Sequence, residues 1–367
     1  MKKDELYYKL ALSRVDGIGP VKYKKLMEQF TTAEEIFATS IKQLKSIAGL
    51  SQSNANAIKS FTDFSLIERE LDFAKQHDIQ VLDYAHPNYP RRLRHCADSP
   101  SVLFYKGTED LNQQKVVSII GTRSFTEYGR RVCEELVEGL KLYNVTVVSG
   151  LAFGIDAIAH KACIRAGIPT IGVVAHGLDT MYPAAHRNLS KEMMQHGGVL
   201  SEYYAGTNAD KGNFPARNRI VAGMSDATII IETDRRGGSM ITAEIAYSYN
   251  RDVFCVPGRI TDAKSNGCND LIKSLKAQMV TNVDDIASSL GWVQPKKPKL
   301  SQRHLFVELS ANESMIVDLL KVNASMHIDA LCANTALNSS ALASSLLSLE
   351  MQHIIRVMPG KLVSLLD

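Results

Sequence analysis

VVSIIGTRS, residues 116–124, decides the fold. Five residues, four of them apolar and β-branched, run directly into a glycine turn. A short apolar run bounded by turn residues is the mark of a strand buried on both faces. Downstream, Val132, Leu136 and Leu140 recur at i, i+4 and i+8, with Cys133 and Val137 on the same side. That spacing predicts a helix with one buried stripe. VTVVS (145–149) then opens a second strand, and the alternation continues through TIGVVA (170–175), GVLSE (198–202), ATIIIE (227–232) and VFCVP (253–257). Buried β-branched runs joined by helices imply a parallel sheet covered on both faces, so residues 79–290 are expected to form a doubly wound α/β domain.

The flanks read differently. Residues 1–78 carry helical patterns without strands, punctuated by VDGIGP (15–20) and IAGLS (47–51). Each is a glycine hairpin followed by a helical stretch, as in a paired helix-hairpin-helix unit. Such hairpins can aim backbone N–H groups at a DNA phosphate, with Lys22, Lys24 and Lys25 nearby; the alternative is that the glycines only turn the chain. WVQPKKPKLSQRH (292–304), with two prolines and no periodicity, reads as the core of a linker over 291–308. Residues 309–367 return to three helical patterns and end in two short extended pieces joined by Pro359-Gly360, the outline of a winged helix.

Composition excludes several classes. The chain has 367 residues, 45% hydrophobic, with a net charge of +3, so any polyanion site must come from local clustering. No apolar run approaches the roughly 18 residues of a membrane span. Asp4 and Glu5 interrupt the N-terminus before a signal core forms, so a cytoplasmic location is expected. Six scattered cysteines form no C-x-x-C pair, and H-E-x-x-H is absent; neither disulfides nor a bound metal is expected. The glycine-rich phosphate loop of nucleotide triphosphatases is missing as well.

Ligands of parallel α/β sheets sit beyond the carboxyl ends of the strands, so the loops there hold the candidates. Gly121-Thr122-Arg123-Ser124 follows the first strand, and Ser149-Gly150-Leu151-Ala152-Phe153-Gly154-Ile155-Asp156 follows the second. Lys211-Gly212-Asn213-Phe214-Pro215-Ala216-Arg217-Asn218-Arg219 puts three cations around an aromatic. That pattern suits a single strand, whose bases stack while cations track the phosphates. The competing reading makes Phe214 a core anchor and the arginines ion-pair partners. A fourth loop, Arg235 to Glu244, brings two glycines and a hydroxyl to a helix start. Asp156 and His160 share a helix face, but such a pair more often caps a helix start and packs a core. Glu232 and Glu244 are possible paired carboxylates without an identified substrate.

Taken in order, these motifs resemble the DNA-processing protein A (DprA/Smf) family. The resemblance is carried by GTRSFTEYG (121–129), SGLAFGIDAIAH (149–160), GLDTMYP (177–183), SEYYAGT (201–207), NFPARNRIVAGMS (213–225), GGSMITAEIA (237–246), VPGRI (256–260) and GCNDLI (267–272). It implies a Rossmann-like domain, flanked by a helical helix-hairpin-helix (SAM-like) domain and a winged helix. It further implies a non-catalytic homodimer that binds single-stranded DNA, protects incoming DNA in natural transformation and helps load the RecA recombinase, without a cofactor. Arg123 and Lys211 are the implied phosphate contacts and Phe214 the stacking ring, with Arg217, Asn218, Ser149 and Gly150 as neighbours. Phe153 stands where the family usually has a cation, and Gly237 where it usually has serine, which is expected to loosen that turn. The helix Asn338 to Leu349 has no lysine or arginine, favouring a protein-contact or structural role for the winged helix. The alternative function is a nucleotide-binding or nucleotide phosphoribohydrolase-like enzyme using Glu244.

Overall fold

The structure, a computed structural model, describes residues 4–292, 309–323, 325–352, 354–358 and 360–365. The expected linker therefore lies largely outside the described residues, as does Pro359. The described residues fall into two compact units, 4–292 and 309–365.

The first unit opens with helices α1 (Glu5–Ser13), α2 (Pro20–Gln29), α3 (Ala33–Ala38), α4 (Ile41–Ser46), α5 (Gln52–Lys59) and α6 (Phe64–Gln76). Both expected hairpins are present, with Gly17 at φ +75° and Gly49 at φ +90°, the left-handed region glycine favours. The Asn54 side-chain amide ties them together by donating to the Gly17 carbonyl at 3.1 Å.

The sheet runs in the order β1 (Gln80–Asp83), β2 (Val102–Gly107), β6 (Gly197–Ser201), β5 (Thr170–Val174), β4 (Thr146–Ser149), β3 (Val116–Ile120), β7 (Ala227–Ile230), β8 (Asp252–Cys255), β9 (Gln278–Met279). From β6 to β9 all pairings are parallel, with Val117 facing Val147 on one side and Ala227 on the other. Strands β1 and β2 add an antiparallel edge that the apolar runs did not announce, because β1 is short and only Leu82 of it is buried. Alternation along β3 sends Val116 and Ile120 to one face and Val117 and Ile119 to the other. The first face is covered by α7 (Arg91–Arg94), α11 (Asn213–Gly223), α12 (Gly238–Ser248) and α13 (Asn266–Lys273). The second is covered by α8 (Glu127–Leu140), α9 (Ile155–Ala166) and α14 (Val283–Ser289). Helix α8 buries Cys133, Leu136, Val137 and Leu140 of the expected stripe, with Val132 half-buried against the same core. A short α10 (Arg187–Met193) packs at the end of β5 and β6.

The N-terminal helices are fastened to the sheet by polar as well as apolar contacts. The Tyr204 hydroxyl donates to the Leu10 carbonyl at 3.0 Å and meets the Ser13 hydroxyl at 2.7 Å, while its ring packs edge-on against Phe104. Lys24 donates to the Cys96 and Ala97 carbonyls and to the Ser99 hydroxyl, at 3.1, 3.0 and 2.6 Å. Its charge is thus spent holding the helices to the α/β domain, and Lys22 donates to the Gly17 carbonyl at 2.9 Å. Of the three lysines expected near a hairpin phosphate, only Lys25 is exposed without such a bond among the described residues.

In the second unit, α15 (Ala311–Val322), α16 (Ile328–Thr335) and α17 (Ser339–Met351) pack on a sheet ordered β10 (Met326–His327), β12 (Leu362–Leu365), β11 (Ile355–Met358). Ile316, Leu331, Leu346, Ile355 and Val363 form its core, the arrangement of a winged helix. Among the described residues no helix is long and apolar enough to cross a membrane.

Removing the Tyr204 ring deletes both an apolar contact and a two-bond anchor. Tyr204→Ala is expected to cost about 3 kcal/mol in urea unfolding and to expose the 60–80 segment to limited proteolysis before the core strands are cut. Unchanged stability and digestion would show that this anchor is not needed.

Candidate functional site

Strand β3 is flanked by β4 on one side and β7 on the other, so the chain order reverses at its carboxyl end. Open α/β sheets bind ligands at such a point. A cleft of about 380 Å³ lies there, lined by the turns after β3, β4 and β7 and by one face of α11.

The turn after β3 is clamped at both ends. The Thr122 amide donates to the Glu232 carbonyl at 2.7 Å, and the Thr122 carbonyl accepts from Ile155 at 3.2 Å. Gly154 sits at φ +87°, and a Cβ there would meet the Thr122 oxygen at 2.2 Å and the Arg123 Cα at 2.6 Å. Only glycine lets the β4–α9 turn lie against the Arg123 loop. Arg123 is exposed, and its guanidinium stands 5.4 Å from the centre of the Phe214 ring, within cation–π range. Phe214 is half-buried and lines the cleft. Tyr182, 49% exposed, places its ring 5.8 Å from that of Phe214. Tyr182 went unnoticed in the sequence, where only its place in GLDTMYP was a signal.

Other candidates have interior duties. Arg217 is buried, and its guanidinium donates to the carbonyls of Gly150 and Val173, tying α11 to the ends of β4 and β5. A Cβ on Gly150 would strike both the Arg217 guanidinium and the Asp156 carboxylate at 2.6 Å, so glycine leaves room for these opposite charges. Ser149 is buried and donates to the Ile119 carbonyl at 2.6 Å. Arg217 and Ser149 thus hold the framework of the site through bonds to strand-end carbonyls, while the Arg217 side chain also lines the cleft with its Nε unpartnered among the described residues. Arg219 likewise pairs with Glu202 at 2.6 and 2.8 Å, as the competing reading of that segment anticipated. Asn218 lines the cleft with no side-chain hydrogen bond among the described residues. Lys211 is exposed in the turn before α11, without an ion pair among the described residues, and stands outside the cleft lining. Phe153, also about half exposed, packs edge-on against His186 at 5.0 Å.

The turn after β7 is tight. A Cβ on Gly237 would lie 2.4 Å from the Thr233 hydroxyl, and Ser239 donates to that same hydroxyl at 2.7 Å. The loosening expected from glycine at this position is therefore corrected: the space a side chain would need is filled.

Burial raises the Asp156 carboxyl to about 6, against the opposing pull of Arg217. Burial lowers His160 to about 3, helped by nearby His186 and Arg217, and its Nδ1 lies 2.7 Å from the Thr170 hydroxyl. His160 is thus a neutral core group hydrogen-bonded to β5. Glu232 is buried, accepting from the Thr126 amide at 2.9 Å, while Glu244 pairs with Lys276 at 2.8 Å outside the cleft lining. Among the described residues no group of three or more acidic, histidine or cysteine side chains could hold a metal.

Residues 80–291, which hold this sheet and cleft, match the model of DNA recombination-mediator protein A. The chain belongs to that family. In this family member, a SAM-like helix-hairpin-helix tandem matches residues 9–61 and a DprA winged helix domain residues 304–361. Protein Smf of Synechocystis is 36% identical over 299 residues, 79% of this chain and 74% of that protein. DNA processing protein A from Streptococcus pneumoniae has a solved structure similar to this one, at 32% identity and TM-score 0.67, covering 77% of this chain and 97% of that one. The Helicobacter pylori protein, 32% identical with TM-score 0.53 over 59% of this chain and 97% of its own, is described for its single-stranded DNA binding mode.

Two measurements separate framework from surface in this family member. Arg217→Ala leaves Asp156 buried and uncompensated and is expected to cost about 3–5 kcal/mol in urea unfolding. Arg123→Ala should stay within about 0.5 kcal/mol of the parent. Asp156 titrates near 3.8 when unfolded and near 6 when folded, so its contribution is full below 3.8 and disappears as pH rises through 6. The stability of the parent relative to Asp156→Asn should therefore grow, by at most about 1.4 kcal/mol per pH unit, as pH falls from 6 to 4. A gap that narrows over that range contradicts the assignment.

Proposed function

We propose that the cleft binds single-stranded DNA without cleaving it. The observation that carries this reading is Arg123 standing over the accessible Phe214 ring at the cleft mouth, with Tyr182 beside it. An unpaired base offers a π face to the rings, and Arg123 and Lys211 supply positive charge along the phosphates. Asn218 can hydrogen-bond a base edge, and Gly150 shapes the floor. Arg217 and Ser149 act indirectly, by holding α11 and the strand ends in place.

In the cell the chain acts as a cytoplasmic homodimer in natural transformation, protecting incoming DNA and helping to load RecA. Membership of the family and the single-strand binding mode attributed to the Helicobacter pylori relative support this reading. The winged helix serves protein contacts, since α17 (SSALASSLLSLEM) carries no cation for a DNA groove. The phosphoribohydrolase alternative loses its support, because Glu244 is paired with Lys276 and Glu232 is occupied by Thr126.

Fluorescence anisotropy over a salt series, with single- and double-stranded oligonucleotides of equal length, tests the proposal. The parent should prefer the single strand. Lys211→Ala should flatten the log–log salt slope by about 0.7, the share of one phosphate contact. Phe214→Ala should weaken binding by about 1–3 kcal/mol with an unchanged slope. If both variants bind like the parent, the cleft is not the strand site.

A further inference from the structure

Tyr182 is tied to the α/β domain by one backbone bond. Its amide donates to the Nε2 of His176 at 3.1 Å, and among the described residues the backbone of Met181 and Tyr182 makes no other hydrogen bond. His176 stands two residues past β5 and is 1% exposed. Its Nδ1 lies 2.8 Å from the Gly177 carbonyl oxygen. A carbonyl only accepts and an amide N–H only donates, so Nδ1 carries the ring proton and Nε2 its lone pair. Both nitrogens are committed, in opposite senses.

The ring is held from behind. The His176 carbonyl accepts from the Ser201 hydroxyl at 2.6 Å, and the Gly177 amide donates to the Thr207 carbonyl at 3.0 Å. The neighbouring Ala175 carbonyl accepts from the Asn213 side-chain amide at 3.3 Å, and Asn213 directly precedes Phe214. The two rings of the mouth, 5.8 Å apart, therefore hang from adjacent residues: Phe214 through Ala175, Tyr182 through His176.

We infer that His176 is a positioning residue for the strand site, holding Tyr182 in place only while its ring is neutral. The inference rests on the strand-binding reading of the mouth and makes that site sensitive to pH. A second ring proton would sit on Nε2 and turn its lone pair into an N–H aimed at the Tyr182 N–H. Two donors would then face each other, and the Tyr182 amide would lose its acceptor. The turn 177–183 must then release Tyr182, whose ring is already half exposed.

Most charged and titratable groups on the surrounding elements are engaged elsewhere. Glu202, just past β6, pairs with Arg219 at 2.6 Å, and the Tyr203 hydroxyl donates to the Asn213 carbonyl at 3.2 Å. Arg217 on α11 bonds strand-end carbonyls, and the His186 Nδ1 lies 3.0 Å from the Leu151 carbonyl. Glu70 on α6 accepts from the Ala205 amide at 3.0 Å. Asp179, exposed in the same turn, reaches back beside Gly177, where a Cβ would lie 2.5 Å from its carboxylate.

Anisotropy with the full chain and a labelled oligothymidylate tests this at fixed salt, from about pH 8 to about pH 5.5, where an imidazole changes charge. The parent should lose about fivefold or more in affinity towards the acid end, the worth of one stacking contact. In His176→Gln a side-chain oxygen can accept from the Tyr182 amide without titrating, so affinity should stay level across the range. His176→Leu offers no acceptor and should bind more weakly than His176→Gln at the alkaline end. In a Tyr182→Ala background, His176→Gln should no longer alter the pH response. Imidazole nitrogen NMR spectra of histidine-labelled protein give a second readout. The ring whose signals vanish in His176→Gln should be the Nδ1–H tautomer at the alkaline end. A parent without the loss, or an equal loss in parent and His176→Gln, overturns the inference, and so does an Nε2–H tautomer. In each case retained strand binding leaves the cleft-mouth reading standing. If no strand binds at any pH, that reading fails. The tautomer, and a shift of the Tyr182 amide signal as His176 takes up its second proton, then decide the role of His176; a Tyr182 signal that stays put overturns it.

Discussion

The cleft depends on a buried cation. Arg217 is buried and donates from its guanidinium to the carbonyls of Gly150 and Val173, at the ends of β4 and β5. Gly150 is the first residue past β4, and Val173 is the next-to-last residue of β5. Satisfying both from one side chain pins α11 across the strand ends and sets where Phe214, one turn earlier, comes to rest. The charge is tolerable because Asp156 faces it across Gly150, and because neither side chain could approach if that residue carried a Cβ.

The same geometry divides the arginines of the region by task. Arg217 and Arg219 are used inside, one on carbonyls and one on Glu202, whereas Arg123 projects from a turn fixed by backbone bonds. A side chain held only at its base by a rigid turn is suited to meeting a ligand. The packing of Gly154 under that turn removes slack without using the Arg123 side chain. Phe153, in the turn after β4, sets its ring edge-on against His186 and so adds apolar contact rather than charge to that turn.

The flanking regions are built on different physics. The N-terminal helices form one unit with the sheet because Tyr204 and Lys24 reach across with hydrogen bonds to backbone carbonyls, and Tyr7, Leu10 and Phe104 share a core. The winged helix has a separate core of Leu and Ile side chains, and its α17 presents serine, alanine and leucine.

By itself the sequence determined the layered α/β domain, the two glycine hairpins and the winged helix, since period and turn chemistry are local properties of the chain. The runs at 116–120, 170–174 and 227–230 appear as strands because buried parallel strands have no polar face to interrupt them. Arg123 and Phe214 could be picked out as candidates, since one follows the end of β3 and the other stands in the first turn of α11. Only the tertiary structure decided which cations reach solvent. Arg217 and Lys24 read as surface charges until α11 and α2 are docked, because the carbonyls that accept their hydrogen bonds lie 67 and 72 residues away along the chain. Whether a charge is free or spent depends on partners remote in sequence, and no local pattern records them.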